Sequence, residues 1–157
     1  MPRMKAPQRR EQLLESAAHC FAREGYRGTT TAKIAAEAGV SEPIIYRHFK
    51  NKRDLFIALI EKVADDVFRN WQSATKAAKT PLEKLQILLY RNPATSDPST
   101  RAVYQLLFHA QTEISDPKIH EAIKDHYDRY VRAIASVMKE AQAAGQPEYE
   151  QAARLDD

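Results

Sequence analysis

Between Thr29 and Leu55 the chain carries two short apolar helical faces on either side of a single glycine, and this stretch constrains the fold more than any other. Ile34, Ala35 and Ala38 fall at i, i+1 and i+4, so they share one face of a short helix while Lys33 and Glu37 point elsewhere. Thr30 is placed to cap that helix, since its hydroxyl can accept from an unpaired N–H of the first turn. Lys33 stands where a capping box would need Glu or Gln. Gly39 supplies the positive φ that ends a helix tightly, and Val40 is the apolar residue that packs back beneath the turn. Ser41 is the next expected N-cap, Pro43 falls in a first turn where its missing N–H costs nothing, and Ile45 and Phe49 at i and i+4 face inward. The pattern is a helix-turn-helix.

The outward face of the second helix holds Glu42, Pro43, Ile44, Tyr46, Arg47 and His48. A merely solvated helix would favour Lys, Glu and Gln there, whereas this mixture suits a helix lying in a DNA major groove. Arg47 can be bidentate to guanine, Glu42 can accept from cytosine N4, and Pro43 and Ile44 can meet thymine methyls. Read alone, Tyr46 is equally a core-rim aromatic and His48 equally a cap on the end of its helix. Their place beside Lys50, Lys52 and Arg53 favours a nucleic-acid role.

Charge agrees with that division. Residues 1–53 hold 11 Lys/Arg against 5 Asp/Glu, a balance of +6, while residues 54–157 hold 13 against 16, a balance of −3. The basic part is the part with the helix-turn-helix, and the acidic remainder argues against the whole chain coating nucleic acid. Cys20 is the only cysteine, which excludes an intrachain disulfide and a thiol-rich metal site. Lying among Ala17, Ala18 and Phe21, it reads as a buried structural thiol. No apolar run approaches a membrane span, and the first ten residues lack the apolar core of a signal peptide, so a cytoplasmic protein is expected.

The rest of the chain reads as all-α, with no strand alternation, internal repeat or low-complexity tract. Residues 1–8 form an arm, read as a flexible tail. A first helix is expected from Gln8 to Glu24, ended by Gly25, with Tyr26 packing beneath the next helix. A long helix capped by Asn51 runs on to Ala78, and Thr80-Pro81 starts another. A loop spans 92–98, and further helices are expected over 99–114 and 117–144, the last ending at Gly145. The reading divides the chain into a DNA-binding domain, 1–53, and a helical ligand-binding and dimerisation domain, 54–157.

The motif residues Gly25-Tyr26, Thr29-Thr30, Ile34-Ala35, Ala38-Gly39-Val40-Ser41, Tyr46, His48-Phe49, Lys52 and Leu55 resemble, in order and spacing, the tetracycline-repressor (TetR) family of bacterial transcriptional regulators. Pro43 stands where many members carry Gly. The resemblance implies a repressor that binds double-stranded operator DNA as a homodimer and is released by a small-molecule inducer of unknown identity. It also implies backbone contacts from Tyr46, His48 and Lys52, with Thr30 and Lys50 as further candidates. Helices at the end of the chain would form the dimer. Only 12 residues follow Gly145, too few for two helices of typical length, so the chain is expected either to be a shortened form or to dimerise through the helices over 99–114 and 117–144.

A high density of aromatic and polar-tipped residues in the second part, Phe68, Trp71, Tyr90, Tyr104, Phe108, His109, Gln111, Tyr127 and Tyr130, points to a small-molecule pocket inside a helix bundle, against the plainer reading of an ordinary core. Catalytic and metal sites are not expected, and no cofactor is implied. His120 and His126 are six apart, hence on different helix faces, and no nucleophile elbow, phosphate loop or H-E-x-x-H occurs. A second class stays open: a helical small-molecule or protein-binding module whose helix-turn-helix does not bind DNA. The basic excess from Tyr46 to Arg53 favours the first.

Overall fold

Gly25, with φ 70° and ψ 174°, breaks the first helix and sets the geometry of everything packed beneath it. The computed structural model describes residues 5–90, 101, 104, 105, 107, 108 and 115–144. The described helices are α1 (Ala6–Gly28), α2 (Thr31–Glu37), α3 (Glu42–His48), α4 (Lys52–Thr75), α5 (Pro81–Tyr90) and α6 (Pro117–Ala143), and no strand occurs among the described residues. Arg101, Tyr104, Gln105, Leu107 and Phe108 are also helical. The expected loop at 92–98, the stop at Gly145, the residues after it, and His109 and Gln111 lie outside the described residues.

After the break, Tyr26 folds under α4. Its ring lies 4.9 Å from Phe56 and 5.8 Å from Phe21, while Phe21 and Phe56 meet edge to face at 5.0 Å. Thr29 is fully buried, and its hydroxyl lies 2.8 Å from Gly25 O and 3.1 Å from Cys20 O, carbonyls left at the interrupted helix end. From the other side, the Lys52 ammonium donates to Tyr26 O at 2.8 Å and Thr29 O at 2.9 Å, and sits 4.4 Å from the Tyr26 ring centroid. A cation at a carbonyl-rich helix end is favourable on both hydrogen-bonding and dipole grounds.

The turn between α2 and α3 closes as expected. Gly39 has φ 65°, its N–H reaches Ala36 O, and Val40 N–H reaches Ala35 O, the paired bonds of a Schellman end. Thr30 Oγ1 accepts from Lys33 N at 3.2 Å and Asn51 Oδ1 from Asp54 N at 2.9 Å. Ser41 occupies the cap position of α3, but its side chain makes no capping bond. Pro43 rigidifies that first turn instead. α1 begins at Ala6, two residues before the expected start, with Lys5 N donating to Gln8 Oε1. α4 stops at Thr75 rather than Ala78. There the Thr75 hydroxyl bonds back to Trp71 O, and Lys76 and Ala78 make tight i→i−3 bonds.

One continuous core joins Leu13, Leu14, Ala17, Cys20 and Phe21 of α1, Ile34 and Ala35 of α2, Ile45, and Leu55, Phe56, Leu59 and Ile60 of α4. It runs on through Val67 and Trp71 to Leu88, Ile119 and Ile123. Cys20 is buried, and that burial, followed by Glu37, pushes its thiol pKa up. α4 packs on α1, α5 and α6, so a single helix borders both the three N-terminal helices and the later ones. Ion pairs pin the same elements: Lys62 to Glu11 (2.7 Å), Arg129 to Asp65 (2.9 Å), Lys84 to Glu140 (2.7 Å) and Arg53 to Asp116 (3.5 Å).

Candidate functional site

The outer face of α3 is built by burying its opposite side. Ile45 is fully buried and Phe49 nearly so, which fixes the helix's rotation and leaves Pro43, Tyr46 and Arg47 exposed, with Lys50 exposed just beyond its end. Arg47 and Lys50 have no ion-pair or hydrogen-bond partner among the described residues. The other strongly basic residues nearby are engaged: Arg23 with Glu24 and Glu37, Lys33 with Glu24 and Gly28 O, and Arg53 with Asp54 and Asp116. The two open cations therefore lie three residues apart, both exposed, where an anion can engage them without breaking an existing pair.

The structure narrows that face in three places. Ile44, expected outward, is half-buried and packs against the core, because α3 carries its inward stripe wide enough to include position 44 beside Ile45. Lys52, expected at a phosphate, commits two of its three donors to Tyr26 O and Thr29 O, and burial pulls its pKa down. Glu42 is half-buried, and its Oε1 accepts from the Thr31 hydroxyl and from Tyr46 Oη at 3.3 Å, while Thr31 Oγ1 and Tyr46 Oη are 3.0 Å apart. Thr31 is a residue the sequence did not single out: it links α2 to α3 across the outward face. The second Glu42 oxygen remains an open acceptor. Thr30, at the N-cap of α2, is exposed, and His48, between Arg47 and Lys50 in the chain, is half-exposed.

The expected ligand residues divide. Trp71 is buried; Phe68, Tyr104 and Tyr130 are half-buried. Phe68 and Trp71 meet edge to face at 5.3 Å, and Trp71 lies 4.8 Å from Tyr130. Tyr90, Phe108 and Tyr127 are 82%, 64% and 37% exposed, contrary to an inward placing of the whole set. Each follows a residue that takes the inward position: Leu88 precedes Tyr90 by two, Leu107 precedes Phe108 and His126 precedes Tyr127, and one or two helical steps turn a side chain away. Tyr90 lines an open groove with Ala74, Ala77, Ala78, Gln86 and Ile87.

His126 was missed as a candidate. It is 3% exposed, lies 5.5 Å from the Tyr104 ring, and neither ring nitrogen has a hydrogen-bond partner among the described residues. Burial first and the Arg129 charge second hold its pKa below the ordinary 6.5. Burial pushes the Tyr104 phenol up to about 12, helped by Tyr127 and Tyr130. A histidine with a depressed folded pKa contributes fully above its unfolded value and loses that contribution as pH falls. Stability is therefore expected to decline as pH drops below about 6.5. Denaturation midpoints across pH 7.5 to 5, a range above the carboxylate titrations, should slope in the wild type and flatten in His126→Phe; equal slopes would remove His126 as the cause.

No group of three or more His, Cys, Asp or Glu among the described residues is arranged to hold a metal, and no described helix is long and apolar enough to cross a membrane. Residues 13–59 match the family described as bacterial regulatory proteins, tetR family. Nucleoid occlusion factor SlmA of Aliivibrio fischeri is 35% identical over 86 residues, covering 54% of this chain and 44% of the relative. The chain thus spans less than half that protein's length. The structure is similar to transcriptional regulator FadR from Bacillus subtilis in complex with stearoyl-CoA, with TM-score 0.74 and 25% identity over 86% of this chain and 72% of that one. It is also similar to a regulator from Saccharomonospora viridis in complex with choline, with TM-score 0.74 and 27% identity over 94% of this chain and 79% of that one.

Proposed function

We propose, from the match of residues 13–59 to the tetR family of bacterial regulatory proteins, that this chain is a ligand-responsive transcriptional repressor working in the bacterial cytoplasm. In this reading residues 1–53 carry the DNA contacts and 54–157 the ligand and dimer contacts. α3 lies in the major groove, where Arg47 reads a guanine edge, the free oxygen of Glu42 accepts from a cytosine, and Pro43 meets a thymine methyl. Tyr46, His48, Lys50 and Thr30 contact the backbone and fix register without reading sequence. Lys52 ties the start of α4 to the turn between α1 and α2. Two copies engage half-sites roughly 34 Å apart, and a small molecule bound among the later helices favours a state that cannot span them.

The observation that carries this reading is two cations without a partner among the described residues, Arg47 on α3 and Lys50 just beyond its end, with the inner side of the helix locked by Ile45 and Phe49. The match to the nucleoid occlusion factor spans 44% of that protein, so that protein's wider role is not carried over to this chain. The two ligand-bearing neighbours hold chemically unlike molecules, an acyl thioester and a quaternary amine, so neither names the inducer here.

Anisotropy titration against DNA from upstream of its own gene tests the reading. Affinity should exceed that for unrelated duplex, and log K should fall linearly with log salt concentration. A ligand that releases DNA must itself be weakened by saturating operator by the same factor. Equal affinity for operator and unrelated duplex at every salt concentration would leave a helical binding module as the better description.

A further inference from the structure

Three side chains of one aromatic set keep buried polar atoms with no partner among the described residues: Trp71 Nε1, Tyr104 Oη, and both ring nitrogens of His126. Native interiors bond nearly all such groups, and an orphan costs the desolvation of a donor or acceptor with nothing returned. The three belong to one contiguous region. Tyr104 and His126 rings are 5.5 Å apart, Tyr130 touches Trp71 at 4.8 Å, and the same Tyr130 acts on the Tyr104 phenol. Around them the surface is ring and hydrocarbon: Phe68 packs on Trp71, and Ile123 and Ile119 lie one and two turns before His126 on the buried side of α6.

The chemistry of the orphans is directional. Indole Nε1–H can only donate, a neutral imidazole donates once and accepts once, and a protonated phenol donates. Each of the three can thus offer an N–H or O–H, and none is an anion. Arg129, stacked 4.6 Å from the Phe68 ring centroid, already holds Asp65 at 2.9 Å, so that carboxylate is not left free for a cationic ligand. A cationic ligand would meet donors, whereas an acceptor oxygen would satisfy groups that are otherwise unbonded.

We propose that Trp71, Tyr104 and His126 form the polar end of a ligand site that takes a carbonyl or carboxylate oxygen at the head of an apolar molecule. This rests on the ligand-responsive reading above and narrows its inducer to one chemical class. The aromatic wall supplies non-specific affinity for the apolar body, and the three donors select the head.

Trp71 is the only tryptophan in the chain, so its emission reports on the site directly and without DNA. The full chain is titrated with three probes of one tail length: dodecanoate, methyl dodecanoate, and dodecyltrimethylammonium, each kept below its micellar range. The carboxylate and ester should shift Trp71 emission saturably, with the ammonium weaker by about tenfold or more. Tyr104→Phe and His126→Leu each remove orphan atoms at nearly constant shape. Both should weaken the acceptor-headed probes by about tenfold while leaving the free protein as stable as, or more stable than, the wild type. That combination separates a binding role from a structural one, and two variants guard against one failing to fold. Wild-type affinity in both folded variants, equal binding of the ammonium, or no saturable shift with either acceptor-headed probe would overturn the proposal, the last two pointing to a cation site or a bridging water. Failure to bind operator DNA would remove the regulator reading and leave the fluorescence result as it stands.

Discussion

Phe56→Ala is expected to lower unfolding stability by about 3–5 kcal/mol, the usual cost of deleting a fully buried aromatic whose site cannot collapse. Phe56 is 0% exposed and in ring contact with both Phe21 and Tyr26, so its removal empties the place where α1, the turn after Gly25 and α4 meet. Edge-to-face pairing with Phe21 adds to what area alone would give. The loss reaches function indirectly. Tyr26 is held by that ring, Tyr26 O is held by Lys52, and the turn they fix leads into α2, on which α3 packs. Urea denaturation gives the stability change, and DNA affinity should fall in proportion to the folded fraction. A loss below about 1 kcal/mol would mean that the cavity refills and that the three rings do not act as one unit.

Arg47→Ala should cost about 1–3 kcal/mol of operator affinity and relax preference at a single base pair, because a bidentate contact discriminates one base edge. Lys50→Ala should weaken all sequences alike and reduce the salt slope by about one. Lys52→Met should differ from both. It frees Tyr26 O and Thr29 O from their donor, so its first effect is on thermal stability, with base preference unchanged. Selection of bound DNA from a randomised operator library resolves the three patterns. If Arg47→Ala loses affinity uniformly across the library, its base-reading role is wrong.

How much of this was legible in the sequence depends on how far away each partner lies. The Gly39 turn, the caps at Thr30 and Asn51 and the inward pair Ile45 and Phe49 are set by neighbours within a turn or two, and spacing alone recovers them. Lys52 and Thr31 were misjudged or missed because their partners are tertiary: Tyr26 and Thr29 for one, Glu42 and Tyr46 for the other. Counting aromatics without tracking their phase placed Tyr90, Phe108 and Tyr127 inside. His126 shows that the phase was available. With Ile119 and Ile123 it forms an i, i+4, i+7 stripe, and only its dismissal as half of a metal pair with His120 hid it.

The interleaving of α4 with the N-terminal helices also says where this molecule can be divided. Leu55, Phe56, Leu59 and Ile60 complete the core of the helix-turn-helix, so a fragment ending at residue 53 would contain every base-reading side chain and lack the floor they stand on. The smallest autonomous unit must run into the third turn of α4, and the family match stops close by, at residue 59. Chimaeras that exchange one ligand module for another are therefore best joined within α4 beyond Lys62, whose ion pair with Glu11 still ties the helix to α1, and a continuous rod preserves the angle between the two halves.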